Sequence, residues 1–193
     1  MDDHSNAKPQ GAQSTQSPCA ALLFAALCVL GSVNMPTCAS EIETLRDEIT
    51  AKVGGLTEFA GINVLSRKTG DLQNAIERDL GRLGVACIVM IPQAIAKPRQ
   101  SQRPVLDPVK VRLRCIEDKL INLTGKSALY LSERGLAGLQ MWQPTTPGAS
   151  LLIPVEPGIL EINLIGKPDE DAQEDYAGYD VFFETKLALS PAV

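Results

Sequence analysis

The sequence feature that most constrains the fold is the uninterrupted apolar segment VACIVMI at residues 85–91, which ends at Pro92. Its β-branched residues predict a central strand that is covered on both faces. From Val109 to Ile116, apolar residues alternate with lysine and arginine, which predicts a strand with one solvated face. We expect the second strand to return beside the first, so that the core is organised around a sheet.

Two amphipathic segments before the apolar strand predict helices. The first begins at Ser40 with a capping-box pattern and should end in a positive-φ conformation at the glycine pair of residues 54–55. The second follows Asp71, buries a stripe of leucine and isoleucine, and should end at Gly84. A short strand is expected between them, at residues 62–65.

A third helix and two further strands complete the predicted domain. The helix is expected at about Ser127 to Trp142, with Trp142 as a core anchor, although two internal glycines weaken its helical propensity. Alternating segments at residues 159–165 and 179–189 predict the strands. Together the elements predict an α+β fold, a two-layer sandwich of a mostly antiparallel sheet with helices packed on one face.

Two charged segments are the candidate sites for contacts between subunits. The segment from Gln93 to Pro108 is rich in proline and basic residues and is predicted to be a long mobile loop. The other is an acidic run that lacks the glycine turn of a calcium loop. Opposite charges on separate loops can pair between identical subunits, although both loops can also simply be solvated. The candidate interface residues are Lys97, Arg99, Arg103, Asp169, Glu170, Asp171, Glu174 and Asp175.

Residues that could support catalysis are sparse. The single histidine, His4, lies in a polar tail, and the five cysteines form no C-x-x-C pair, which argues against histidine-dependent catalysis and a zinc site. Gly125-Lys126-Ser127 resembles the end of a phosphate-binding loop, but Leu120 stands where that motif needs glycine. The segment is therefore interpreted as a helix entry, in which Thr124 or Ser127 caps the helix and Gly125 makes the turn. We therefore predict no enzyme activity, cofactor or metal. The net charge of −5 argues against nonspecific nucleic-acid binding.

The first forty residues are predicted to lie outside the fold. Their apolar run, Cys19 to Val33, is shorter than a membrane-spanning helix requires. It suits a signal peptide cleaved after Ala39, although the preceding residues carry little positive charge. The alternative is that translation starts at Met35. Under either alternative the folded domain is residues 41–189, which we expect to have no membrane contact, followed by a tail at 190–193.

Four parts of the chain carry a resemblance to a known family. They are the apolar strand at 85–91 after a glycine-ended helix, the passage from the strand at 109–117 to the helix start at 122–128, the Trp142-Gln143-Pro144 segment, and the last strand at 179–185. In these parts the chain resembles the tail terminator, or tail-completion, proteins of bacteriophages and prophages. The resemblance covers roughly residues 41–189.

The resemblance implies a non-enzymatic virion protein that assembles in the host cytoplasm. Such a protein forms a homo-oligomer, expected to be a hexameric ring, on the end of the tail tube, where it stops tube polymerisation and helps to join the head. Its implied partners are itself, the tail tube protein and the head–tail connector protein. Loops such as Gln93 to Pro108 would reach neighbouring subunits or the tube, and an acidic ring would let DNA slide through without sticking.

The alternative function is an exported α+β domain that binds a ligand or partner in the periplasm or outside the cell. Its site would be formed by the loops around Trp142 and Asp169–Asp175. The amino-terminal apolar run departs from the family's pattern, because a phage protein assembled in the cytoplasm does not need it, and so it is a reason to place the start at Met35. A genuine cleaved signal would instead count heavily against the phage function. Processing after Ala39 would support export, and initiation at Met35 would support assembly inside the cell.

Overall fold

A five-stranded sheet organises the residues that the computed structural model describes, which are 40–66, 71–97, 104–162 and 176–190. The elements in chain order are α1 (Glu41–Gly54), a 3₁₀ turn (Thr57–Phe59), β1 (Val64–Ser66), α2 (Leu72–Leu83), β2 (Val85–Lys97), β3 (Val105–Asp118), α3 (Ala128–Leu139), β4 (Ile153–Ile162) and β5 (Tyr176–Ala188). The strand order is β1-β2-β3-β5-β4, with β1 parallel to β2 and the other neighbours antiparallel. The α+β class and the mostly antiparallel sheet are confirmed.

The apolar segment forms the buried half of β2, and residues Val85 to Val89 are covered on both faces as predicted. The prediction that this strand stops at Pro92 is wrong. A register shift between Met90 and Gln93 accommodates the proline, and β2 continues to Lys97. A β-bulge lets a residue without an N–H sit in a strand without breaking the ladder on either side. Most of the predicted loop at 93–108 is therefore the two arms of a hairpin.

The helices lie on both faces of the sheet, which corrects the prediction of a single covered face. Helices α1 and α3 pack on the main core, which includes Cys87, Leu113 and Phe183. Helix α2 packs on the opposite face, where Ile76 contributes to a smaller cluster around Ile88. The parallel pair β1 and β2 explains this arrangement, since the helix that connects two parallel strands must cross over one face of the sheet.

The helix starts follow the predicted side-chain caps. The Ser40 N–H donates to the Glu43 carboxylate over 3.3 Å, and Ser127 Oγ accepts from the Tyr130 N–H over 3.1 Å. Gly84 ends α2 with φ +73°, as expected. Gly55 instead has φ −82°, so the positive-φ expectation there is wrong, because the Gly55 N–H continues the right-handed pattern by donating to Ala51. Helix α3 ends at Leu139, three residues before Trp142.

Gly135 brings α3 close to the sheet. A Cβ added at Gly135 would lie 2.2 Å from Leu113 Cδ2, and one added at Gly138 would lie 2.6 Å from Leu56 Cδ1. The two glycines that weaken the propensity of this helix therefore permit its packing, because helix and strand approach closely only where no side chain intervenes. Trp142 is half-buried at the edge of the main core.

Glu48 joins α1 to the connection between α3 and β4. Its carboxylate accepts hydrogen bonds from the Thr145 N–H, from the Thr146 N–H over 2.8 Å and from Thr146 Oγ1 over 2.6 Å. Burial raises the pKa of Glu48, but the hydrogen bonds from Thr146 and Thr145 outweigh burial and leave that pKa below its ordinary value. Glu48 is thus held as a charged acceptor that fixes an otherwise irregular segment.

Replacing Glu48 with glutamine is expected to lower the free energy of unfolding at pH 7 by about 1–2 kcal/mol, the cost of weakening charge-assisted hydrogen bonds. Because the folded pKa is depressed, this stabilisation is present above the unfolded pKa of about 4.3 and is lost as the pH falls through the folded pKa. Urea unfolding at pH 7 and at decreasing pH should show the difference between wild type and variant narrowing. Glu133→Gln, at an exposed position on α3, is the control; an equal loss in both variants would contradict the role of Glu48.

Candidate assembly interface

Lys97 lies at the end of β2 in a small charged cluster. Its Nζ is 3.0 Å from Asp107 Oδ2, and Lys186 Nζ is 3.1 Å from the same oxygen. The Lys97 hydrogen bond, followed by that of Lys186, lowers the pKa of Asp107. Lys97 is still 54% exposed, so its ammonium can contact a second subunit as well as Asp107.

The other seven candidate residues lie outside the residues that the structure describes. They are Arg99, Arg103, Asp169, Glu170, Asp171, Glu174 and Asp175. Their attachment points are described, however. The hairpin end of β3, Val105, pairs with Ala188, whereas Tyr176 at the start of β5 pairs with Asp118. The basic and acidic segments therefore join the sheet at opposite ends of β5, about 40 Å apart at about 3.3 Å per residue.

Within the described part of the chain, the sheet has β1 as its outermost strand on one side and β4 on the other. Strand β1 pairs only with residues Cys87 to Val89, which leaves the outer edge of β2 open from Met90 onward. At the other side of the sheet, β4 pairs with β5 and has no further neighbour among residues 40–66, 71–97, 104–162 and 176–190. Unpaired edges present rows of N–H and C=O groups that can pair with another strand. The proline-free portions are Gln93–Lys97 on β2 and Ile159–Ile162 on β4.

Side chains on the β4 edge suit a contact. Leu160 is 45% exposed, and the neighbouring Glu161 is exposed and acidic. The β2 edge carries exposed Ile95 and basic Lys97. The two edges therefore have complementary charge and comparable apolar exposure. Sequence reasoning missed the β2 edge because Gln93–Lys97 was assigned to a loop, whereas residues 159–165 were predicted as a strand whose position in the sheet the sequence did not give.

The sheet face away from the main core carries a charged row between β3 and β5. Arg114 donates from Nε to Asp180 Oδ1 over 2.8 Å and from Nη2 to Oδ2 over 2.9 Å. Arg112 Nη1 lies 3.5 Å from Asp180 Oδ2, and the Arg112 guanidinium stacks 5.4 Å from the Phe182 ring centre. The two hydrogen bonds that Arg114 donates to Asp180 raise the pKa of Arg114. The alternating pattern predicted the arginines on the solvated face, but not their carboxylate partner.

Two clefts flank the irregular part of β4, where its pairing with β5 shifts between Pro154 and Ile159. The larger, of about 590 Å³, lies on the charged face between Gln93, Arg112 and Glu156. The smaller, of about 430 Å³, is lined mainly by apolar groups together with Asp107. Both volumes are within the range of small-molecule sites.

The polar groups of the segment that resembles a phosphate-binding loop form hydrogen bonds within the protein. Lys126 Nζ donates to the Glu58 carbonyl over 2.6 Å, and the Ala128 N–H at the start of α3 donates to Glu117 Oε2 over 2.7 Å. Asn122 donates to the other Glu117 oxygen over 2.9 Å. A carboxylate therefore occupies the helix N-terminus where a phosphate would bind. This geometry agrees with the interpretation of the segment as a helix entry.

The same turn displays an apolar surface. Leu120 is 76% exposed, Leu123 is 78% exposed and Ile121 is 40% exposed. Asp118 fixes the turn, since its Oδ1 accepts from the Leu120 N–H over 3.0 Å and from the Ile121 N–H over 3.2 Å. Three large apolar side chains held outward by one turn form a small patch of the kind that proteins use for contacts.

Within the described ranges, no group of three or more histidine, cysteine, aspartate or glutamate side chains could hold a metal ion. None of the helices described there has the length and apolar character needed to cross a bilayer. A scan against models of known protein families finds no match, and a search of curated proteins also finds none.

Proposed function

We propose that this chain is a structural subunit that assembles head to tail into a closed ring at the end of a phage or prophage tail tube. The observation that carries the proposal concerns two strand edges on opposite sides of one sheet, Gln93–Lys97 and Ile159–Ile162, which have no partner strand among the described residues. Two different edges that face opposite ways favour a heterologous contact, which generates a ring when the rotation closes.

The charges of the described residues support the same contact. Lys97 lies at the end of the β2 edge, and Glu161 lies within the β4 edge. Charge complementarity across a subunit contact steers association and fixes register. The basic and acidic segments that continue beyond these strands in the sequence add charge of the same two signs.

The partners of the ring are proposed from the resemblance. A tail terminator contacts the tube on one side and the head–tail connector on the other, so it needs surfaces at both ends of the subunit. The hairpin of β2 and β3 lies at one end of the sheet, and the patch of Leu120, Ile121 and Leu123 follows β3 at the other. We assign no catalytic role to the chain.

The test is the solution mass of the full chain, measured by light scattering after size exclusion at low and at high salt. We expect a six-fold mass, or a shift to it when tail tube subunits are added, and a lower mass at high salt because exposed charges are screened. Glu161→Lys should reduce the assembled fraction at least several-fold, since it reverses a charge and places lysine on an edge strand.

Glu133→Lys is the matched control, because it makes the same charge change at an exposed position on α3. It should leave the assembled mass unchanged. A monomer that ignores both salt and tube subunits would contradict the proposal. Equal disruption by the two variants would contradict the assigned edge.

A second candidate function is the exported binding domain, which the 430 Å³ cleft beside Asp107 favours. In that case the cleft would hold a small, largely apolar ligand, and the chain would be monomeric. Sequencing the amino terminus of the protein made by its native host separates the two functions, because cleavage after Ala39 supports export.

A further inference from the structure

Cys87 and Cys115 face each other in the centre of the main core. They are directly opposite in the pairing of β2 with β3, and their Sγ atoms are 3.6 Å apart. Both side chains are fully buried. Neither residue has a part in the proposed assembly contact, so the pair is an independent feature of the fold.

We propose that Cys87 and Cys115 form an intramolecular disulfide when the chain folds in oxidising surroundings. Directly opposite residues in an antiparallel pair have Cα atoms about 4.5–5.5 Å apart, which lies within the span of protein disulfides. The sulfurs must approach by about 1.5 Å to reach bonding distance, which rotation of the two side chains can supply. No change in strand register is needed.

The bond forms by thiol–disulfide exchange with a low-molecular-weight disulfide such as oxidised glutathione. One cysteine thiolate attacks the small disulfide and releases one small thiol, and the second cysteine then displaces the other. Two protein thiols and one small disulfide thus become one protein disulfide and two small thiols.

Exchange has to occur while the strands are still pairing, because the finished core excludes the oxidant. The hydrogen bond that Cys87 donates to Cys115, together with burial, raises the pKa of Cys87. Since the thiolate is the reactive form, the native pair is inert once closed in the core. We expect a native thiol that reacts slowly with alkylating reagents and a folding chain that oxidises readily.

The experiment uses the full chain with Cys19→Ala, Cys28→Ala and Cys38→Ala, so that only the core pair remains. The chain is refolded with oxidised and reduced glutathione, alkylated, and digested with trypsin. Trypsin cuts between the two cysteines, so the bond joins peptides 83–99 and 115–119 into one mass that separates on reduction. We expect this joined peptide, and a Tm about 5–10 °C above that of the reduced protein, because the bond closes a loop between residues 28 apart.

Cys115→Val in the same background is the control and should show neither the joined peptide nor a redox-dependent Tm. Production of the same chain in the bacterial periplasm gives the same peptide measurement without refolding. Two thiols that stay free under both conditions would overturn the proposal, since the pair would then act only as small apolar side chains. A joined protein with a Tm at or below the reduced form would show that the bond does not fit the paired strands, which would overturn its assignment to the native fold.

Discussion

Replacing Gly84 with alanine is expected to lower the free energy of unfolding by about 4 kcal/mol. Gly84 has φ +73°, a conformation that costs an L residue about 1–2 kcal/mol. A Cβ there would also lie 2.4 Å from the backbone N and Cα of Asn122. Backbone atoms cannot rotate away, so relief requires displacement of a packed turn, which costs about 1–3 kcal/mol more.

The turn that contains Asn122 is hydrogen-bonded to the end of α2 both before and after that residue. The Asp118 N–H donates to the Gly84 carbonyl over 2.8 Å, and the Leu123 N–H donates to the Leu83 carbonyl over 3.1 Å. Displacing Asn122 would therefore strain the end of β3 and the start of α3 together. The substitution should therefore destabilise the sheet as well as the end of α2.

Substitutions at two further glycines separate the cost of backbone strain at Gly84 from the cost of the close contact with Asn122. Gly125 has φ +66° with no atom within 4 Å of an added Cβ, so Gly125→Ala should cost only about 1–2 kcal/mol from backbone strain. Gly81 lies inside α2 with open space around it, so Gly81→Ala should stabilise by about 0.5–1 kcal/mol. Urea unfolding, followed by circular dichroism and by fluorescence of the single Trp142, gives all three values. Equal losses at Gly84 and Gly125 would show that the close approach to Asn122 does not matter.

Gly84 also shows how far local sequence signals reach. The end of α2 at this glycine, the start of α1 at Ser40 and the start of α3 at Ser127 were all predictable, because each depends on residues within one helical turn. The approach of Asn122 was not, since it depends on the pairing of β2 with β3, which brings the turn after β3 against the end of α2. Gly135 gives a second example. Helix propensity identified it as a residue that weakens α3, whereas only the close contact with Leu113 on the sheet explains why glycine stands there.

The strand errors have a common physical origin. Pro92 looked like the end of a strand because proline lacks an N–H, but a register shift absorbs that loss and lets β2 continue to Lys97. The same extension changed a predicted loop into a hairpin. The side of the sheet covered by α2 depends on β1 being parallel to β2, and a strand of three residues carries too little pattern to reveal its direction.

The candidate interface was predictable only in part. Its charges could be read from composition, and Lys97 does lie at an exposed position. Its partner in the same chain, Asp107, stands in a stretch that was assigned to a loop, so no pairing could be assigned. The edges of β2 and β4 that lack a partner among the described residues follow from the shortness of β1 and from strand order, which neither propensity nor periodicity encodes. Asp180 and Phe182 complete the charged face among the described residues. They could not be assigned to it from the sequence, because that assignment needs the register of β3 with β5.

Replacing Asp180 with asparagine is expected to lower the free energy of unfolding by about 3 kcal/mol. The Asp180 side chain is 3% exposed and accepts both hydrogen bonds of the Arg114 fork, while Arg112 lies 3.5 Å away. Without the carboxylate charge, two guanidinium groups remain close together on a partly desolvated face. Removing one member of such a pair costs more than the pair contributes in total, because the remaining charge is left uncompensated.

Asp79→Asn is a matched control for this loss. Asp79 is as buried as Asp180, but its arginine partner, Arg78, is 66% exposed and can return to water. The expected loss at Asp79 is about 1 kcal/mol. Equal losses at the two aspartates would contradict the idea that confinement of the arginines, rather than burial of the carboxylate, sets the cost.

A double-mutant cycle isolates the interaction itself. Arg114→Met alone should cost about 1–2 kcal/mol, because Arg112 still partly compensates Asp180. Combined with Asp180→Asn, it should cost less than the sum of the two single losses by about 1–2 kcal/mol, since one of the two uncompensated cations is then absent. The difference should change little between low and high salt, because a partly buried pair is weakly screened. A purely additive double variant would mean that β3 and β5 are held together without this ion pair.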